Sequence, residues 1–387
     1  MITTLLLFIL VLGLLVFVHE FGHFITAKKM GVKVEEFGFG FPPRMIGFYR
    51  NYEGKFKFVF RKMSYRTDRT VYSLNWIPLG GFVKIKGEEG GHRGEPDSFS
   101  AKPIWRRAII LASGVAMNMI LAIVVLSIGF GIGIPQALGD RTDPKALVRD
   151  KSIQIVSVAK GSPAFKAGVS VGDEIVYVDE KKFAFRELQD YLTTKVGKEV
   201  TYAIKRDGNK FEKKIVPSLL SETGKGGIGV GLIEVGIVSY PWHLAFWRGI
   251  TETWFYTREI IAAFYMLFHG LVIGGGGAIV DLSGPVGIAV LTGKVAKLGL
   301  IYLMQFVAVL SINLAIINIL QFPALFGGRI LFLAIEKIRG KPVSQKIESI
   351  IHNLGFTALM ILVVVVTYND FVKFGSKFVN LWQSIVQ

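Results

Sequence analysis

Residues His19-Glu20-Phe21-Gly22-His23 carry the chemistry that is easiest to name in this chain. Histidines four apart lie on one face of a helix, so both imidazoles can reach one zinc ion, while the glutamate between them can take a proton from an attacking water. That combination suits peptide hydrolysis. The stretch before it, Ile2 to Val18, carries no charge, which places the pair at or inside a bilayer. Two plainer readings compete: a short string of this kind arises by chance, and a His-Glu pair often forms a polar turn after an apolar run. A secretory leader fits poorly, because no Lys or Arg precedes the run and no small-residue cleavage site follows it.

The elements that would position such a site are those of a membrane protein. The 387 residues are 51% hydrophobic and only 19% charged, with a mean hydropathy of +0.47, too apolar for an ordinary soluble domain. With no cysteine there is neither a disulfide framework nor a thiolate site, so a metal must use histidine and carboxylate. The net charge of +16 is dispersed over loops beside apolar helices, which fits positive-inside topology and anionic headgroups, with no nucleic-acid partner.

The chain reads as a multi-span α-helical membrane protein of about four transmembrane helices, with a membrane-associated β region and an inserted extracytoplasmic domain. Residues 1–30 hold the first span, 31–104 the β region, 105–134 the second span and 135–240 the inserted domain. Residues 241–297 form an amphipathic interfacial helix and loop, with a fifth span as the alternative. Residues 298–326 hold the third span, 327–349 a basic connection, and 350–387 the fourth span and tail. Lys and Arg crowd 28–107 and 329–346, so both should be cytoplasmic. Both termini and the inserted domain then lie outside, with the histidines toward the cytoplasmic leaflet.

In the inserted domain, Ser152 to Val158 alternates as a strand and Gly161-Ser162-Pro163-Ala164 turns into a short helix. Gly172-Asp173 turns into a second strand, Phe185 to Thr193 is a helix, and two strands flank Asp207-Gly208. This order resembles a PDZ domain of the circularly permuted bacterial kind. The resemblance implies a groove that takes peptide termini by strand addition. A generic small α/β domain with glycine turns is the alternative.

As a whole the chain resembles the site-2 protease family of intramembrane zinc metalloproteases, in the branch of the bacterial regulator of sigma-E protease. The strings that carry the resemblance are His19 to His23, Gly38-Phe39-Gly40, Pro78 to Lys84, Gly87-Glu88, Gly114 with Asn118, Ser283 to Gly287, and Asn313 to Gly328. It implies zinc held by His19 and His23, Glu20 as the catalytic base, transmembrane proteins such as anti-sigma factors as substrates, and a bacterial inner membrane location. Enterobacterial members carry two PDZ domains, and this chain has room for one.

For Gly38, Phe39 and Gly40 the resemblance implies a membrane-dipping loop that receives substrate as an added strand; an interfacial aromatic anchor is the alternative. Gly114 and Asn118 share one face of the second span, suited to close helix approach and an interhelical hydrogen bond near the metal, or to plain packing. Asn318 matches a family position near the scissile peptide, or else ends a helix, and Pro323 keeps a family proline among the substrate-binding positions.

One departure touches the metal itself. The family draws its third ligand from the aspartate of a Leu-Asp-Gly-Gly string, and here the string is Leu325-Phe326-Gly327-Gly328. Phenylalanine has no lone pair to offer, Arg329 brings a cation close by, and Gln321 stands where the family has proline. The chain is then an inactive relative that binds without cutting as a membrane PDZ scaffold, a redesigned sequence, or a protein whose third ligand comes from elsewhere, with Asp281 as the candidate carboxylate.

Overall fold

The computed structural model describes residues 2–60, 67–88, 90–92, 94–139, 142–206, 208–219, 226–273, 284–320 and 326–386, the side chains of 2, 79, 268, 271–273, 326 and 374–386 excepted. In chain order the elements begin with α1 (Ile2–Lys29), β1 (Val34–Arg50), β2 (Phe56–Phe60), β3 (Val71–Ile85) and α2 (Ile104–Ile132). The middle of the chain supplies β4 (Ile134–Ala137), β5 (Leu147–Val158), α3 (Pro163–Lys166), β6 (Glu174–Val178), α4 (Phe185–Thr194), β7 (Val200–Arg206) and β8 (Asn209–Ile215). There follow β9 (Ser218–Leu219), β10 (Gly226–Gly227), β11 (Val230–Ser239), α5 (Trp242–Ile273), α6 (Pro285–Leu298), α7 (Leu300–Ile319), α8 (Phe326–Arg339) and α9 (Gln345–Val386). Two units result, 1–128 with 246–387, and 129–245.

In the first unit, α1, α2, α7 and the Gln345–Lys373 part of α9 are long and apolar enough to cross a bilayer. The helix α5 is not among them. The first span, expected within residues 1–30, ends at Lys29, where Lys28 and Lys29 favour a helix C-terminus; Gly31, at φ +71°, then turns the chain away. The third span runs from Leu300 to Ile319. Ahead of it stands a helix that had been read as loop: Pro285 opens α6 and Gly299 separates it from α7. The basic connection likewise contains α8, whose Leu333 is buried among Phe24, Ala27, Ile110 and Leu111.

The β region is a sheet in the order β2-β1-β3. It corrects the expectation of a loop at Gly38 to Gly40. Phe37 is opposite both Val83 and Tyr72, Gly38 both Phe82 and Ser73, and Phe39 both Gly81 and Leu74, so β3 occupies both edges of this part of β1. A strand interior forms because β3 crosses closely enough to need glycine. A Cβ on Gly38 would lie 2.8 Å from the Ser73 carbonyl oxygen, and Gly40, at φ +84°, passes its carbonyl to the Asn75 amide at 2.7 Å. Phe37 and Phe39 then face α1, with Phe37 stacked on Phe24 at 4.4 Å and Phe39 6.1 Å from Phe17.

The second unit is built on a six-stranded sheet in the order β4-β11-β5-β6-β7-β8. Its core holds Ile155, Leu188, Leu192, Val200, Tyr202 and Ile204. Ser162 caps α3 by accepting the Phe165 N–H at 3.2 Å, and Asp173 closes the next turn on the Ser170 N–H at 2.9 Å. The strands and helices expected for a PDZ domain are present in that order, within about two residues at each end except that β5 starts at Leu147, five residues before the expected Ser152. One edge of β11 pairs with β5 and the other with β4 only from Val235 to Val238, so among the described residues Val230 to Ile233 have no strand on that second edge.

Candidate metal centre

The site starts from the close approach of α1 and α2. A Cβ at Gly22 would lie 2.5 Å from the Ser113 carbonyl oxygen, so only glycine lets the helices meet there. The next residue of α2, Gly114, faces both histidines: a Cβ there would lie 2.7 Å from His19 Nε2 and overlap His23 Nε2. The two Nε2 atoms are 3.2 Å apart. Two nitrogens bound at the usual distance to one tetrahedral zinc stand about 3.3 Å apart, so the imidazole pair fits that metal.

The other side of each ring is also held. His23 Nδ1–H donates to the Ile110 carbonyl at 2.8 Å, which leaves the Nε2 lone pair toward the shared point. His19 Nδ1 lies 3.3 Å from the Asn118 amide, and the Gly114 carbonyl accepts from the same imidazole. Both rings and Asn118 are buried, at 3%, 1% and 0% exposure. The backbone carbonyl of Asn118 accepts the Ser311 hydroxyl of α7 at 2.8 Å, which ties this turn of α2 to α7.

Glu20 is on the adjacent face of α1, against β3. A Cβ at Gly81 would lie 2.9 Å from Phe17 Cα and 3.1 Å from Glu20 Cβ, and one at Gly80 would strike Val16. The Gly80-Gly81 pair is therefore where the sheet seats on the glutamate. The sequence signal for this positioning role is two glycines inside an apolar strand, a mark of close backbone approach that the family resemblance alone does not give.

The remaining expected residues fall into two groups. Asn318 shares the buried face of α7 with Ser311 and Ala315, about 10 Å along the axis from the Ser311 contact. Gly38, Phe39 and Gly40 sit in the sheet that seats on α1. Pro323, Gln321 and Asp281 lie outside the described residues. The carboxylate of Glu88 pairs with Arg329, and Arg107 makes a bidentate pair with Glu336 at 2.5 and 3.0 Å. The cation expected beside the metal is thus neutralised.

Position 326 is the first residue of α8, where Gly327 packs on the Ile319 and Leu320 carbonyls at the end of α7. Among the described residues no group of three or more metal-binding side chains occurs. The imidazole pair fits zinc, and the position where the resemblance implies a third ligand is Phe326.

The model of peptidase family M50 matches residues 7–362. The chain belongs to peptidase family M50. Its relatives include zinc metalloprotease RasP of Geobacillus kaustophilus, 30% identical over 95% of this chain and 97% of that one. A putative zinc metalloprotease of Clostridium perfringens is 32% identical over 94% and 97%, and the regulator of sigma-W protease RasP of Bacillus subtilis 29% identical over 95% and 98%. Among solved structures, the PDZ domain of an SdrC-like protein from Listeria innocua is 28% identical, covering 21% of this chain and 92% of that one, with a TM-score of 0.20. Family M50 membership makes the chain a metalloprotease by descent, and its four apolar helices make it a membrane protein.

Proposed function

We propose that the chain is an intramembrane zinc endopeptidase for single-span membrane proteins, with a low turnover set by Phe326. The observation that carries this reading is the convergence of His19 and His23 Nε2 over Gly114, inside an apolar span and next to Glu20. Zinc, named for the relatives, would acidify a water and polarise the scissile carbonyl. His19 and His23 hold that metal, Gly114 clears the space, and Asn118 orients His19. Glu20 accepts the proton of the attacking water and returns it to the leaving amine.

A helical substrate hides its peptide bonds, so it must be captured extended. Because both edges of Gly38 to Phe39 are filled, the edge of β3 at Gly80 to Phe82, beside Glu20, is the better place for an added strand, with Phe39 and Gly40 supporting it from behind. Asn318, on the buried face of α7, is placed to bind the substrate backbone; Pro323 belongs to the same assignment from the sequence alone. The open edge of Val230 to Ile233 is the groove for peptide termini, where substrates whose outer part has been trimmed are admitted. The basic loops favour a bacterial inner membrane orientation with the termini and the PDZ domain outside, and the regulator of sigma-W protease among the relatives favours anti-sigma-like substrates.

Phe326 also favours a second reading, a membrane scaffold that binds peptides without cutting them. Cleavage of a single-span reporter by the purified chain and by its Glu20→Gln variant separates the two. Cleavage that Glu20→Gln abolishes supports the protease; reporter binding with no cleavage by either protein supports the scaffold.

A further inference from the structure

At the end of α1 a cleft of about 760 Å³ opens between the helix, the end of β1 and the start of β3. Four cations line it, Lys28, Lys33, Arg50 and Arg69, with two carboxylates, Asp68 and Asp97. Both carboxylates are already engaged: Asp68 with Lys33 at 3.0 Å, and Asp97 with Lys86 at 2.8 Å. Lys28, Arg50 and Arg69 make no ion pair among the described residues. Three uncompensated cations from three separate segments therefore face one cleft.

The two guanidiniums are held in place while donors remain over. Arg50 gives one N–H, from Nε, to the Gly54 carbonyl at 3.0 Å, and Arg69 lies over the Tyr52 ring at 5.0 Å. Held guanidiniums with spare donors suit a phosphate, which accepts several N–H bonds at once. None of these residues belongs to the histidine site.

Position decides between a free phosphate and a lipid. Lys28 and Lys29 end the apolar α1, so the cleft lies at headgroup depth. Beside it, β2 pairs Phe56 with Arg50 and Phe58 with Phe48, and the side chains of Phe56, Phe58 and Phe60 are 63%, 57% and 52% exposed. An aromatic strand next to a cationic cleft matches the two halves of a phospholipid. We propose that this cleft binds the phosphate of an anionic glycerophospholipid, with the acyl chains against β2. The proposal rests on α1 crossing the bilayer and is independent of hydrolysis.

The test uses the full chain in nonionic detergent, titrated with phosphatidylglycerol, phosphatidylcholine and inorganic phosphate, with bound ligand read by native mass spectrometry. Phosphatidylglycerol should bind in preference to the other two. Arg50→Gln with Arg69→Gln should weaken it roughly twenty-fivefold, at about fivefold per charge. Lys337→Gln with Arg339→Gln, the same loss of charge at the end of α8, should leave it unchanged. Equal binding of both lipids, or an equal loss in the α8 variant, overturns the site in favour of diffuse surface charge. Phosphate bound as tightly as phosphatidylglycerol overturns the lipid assignment. If the double arginine variant does not fold, Lys28→Gln alone should still weaken phosphatidylglycerol severalfold, and no change there overturns the proposal.

Discussion

The Asn118 amide lies 3.3 Å from Nδ1 of His19, and the amide oxygen Oδ1 is buried with no hydrogen-bond partner. With the amide turned end for end, Oδ1 accepts the Nδ1–H beside the Gly114 carbonyl, and the His19 Nε2 lone pair points at the place it shares with His23. Asn118→Leu removes that acceptor at little change in volume. Losses from removing such a partner are typically tenfold or more in metal affinity. A cobalt or zinc titration of the variant in detergent should therefore show weaker binding by about tenfold; an unchanged affinity would mean that the Gly114 carbonyl alone sets the imidazole.

Phe326 should limit metal content more severely. Two imidazoles give a much weaker site than the usual three protein ligands. Phe326→Asp should raise bound zinc toward one equivalent per chain, measured by elemental analysis of the purified protein, and should raise reporter cleavage with it. A full equivalent already present in the unchanged protein would sink this account, because some other donor would then be completing the site.

The parts of this fold that were legible in sequence are those whose cause is local. Two histidines at helix spacing, uncharged runs of span length, and the Gly, Ser-Pro and Asp-Gly turns of the inserted unit each follow from period or backbone preference. What stayed hidden depends on tertiary contact. Gly38 and Gly40 looked like a loop because glycine beside Phe and Pro usually marks a turn, whereas here glycine is required where β3 crosses β1. The pairing of Arg329 with Glu88, 241 residues away, could not be read from either string. Helix α8 was masked by its basic residues, although Ile330 and Leu333 pack on the first two spans.

Gly81 should be intolerant of any larger residue. In Gly81→Val the added carbons meet the backbone of Phe17 and the stem of Glu20, neither of which can swing aside. Overpacking of this kind typically costs about 1–3 kcal/mol. Reporter cleavage should fall well beyond what that loss of stability explains, since Glu20 itself is displaced, while zinc content stays at the level of the parent. A variant with parental cleavage would show that β3 does not seat the glutamate.

The inserted unit should weaken in acid through Asp173. Burial works against its charge, but hydrogen bonds from Arg206 at 2.6 and 2.7 Å and from the Ser170 N–H outweigh it and hold the carboxyl below its ordinary range. A depressed folded-state value stabilises the fold fully above the unfolded carboxylate value, near 3.9, and loses that contribution as pH falls through the folded one. Thermal unfolding should therefore drop below about pH 4. Asp173→Asn should flatten that part of the profile and cost about 2 kcal/mol at neutral pH, less than a fully buried pair because Arg206 is partly exposed.

Asp370 should act as the cap of a helix that its own sequence neighbourhood does not contain. It is fully buried in α9, and its two oxygens accept the N–H groups of Gly284 at 3.1 Å and Gly287 at 2.7 Å, at the start of α6. The first N–H groups of a helix have no partner within it, and a carboxylate there also meets the positive end of the helix dipole. In Asp370→Leu those groups stay buried and lose their acceptor, at a cost of about 2 kcal/mol. Asp370→Asn keeps one carbonyl oxygen and should recover roughly half of that. Limited proteolysis within 284–299 in detergent reads the outcome directly: cutting should be fast in Asp370→Leu, intermediate in Asp370→Asn and slow in the parent, and equal rates in all three would mean that α6 is held by its packing alone.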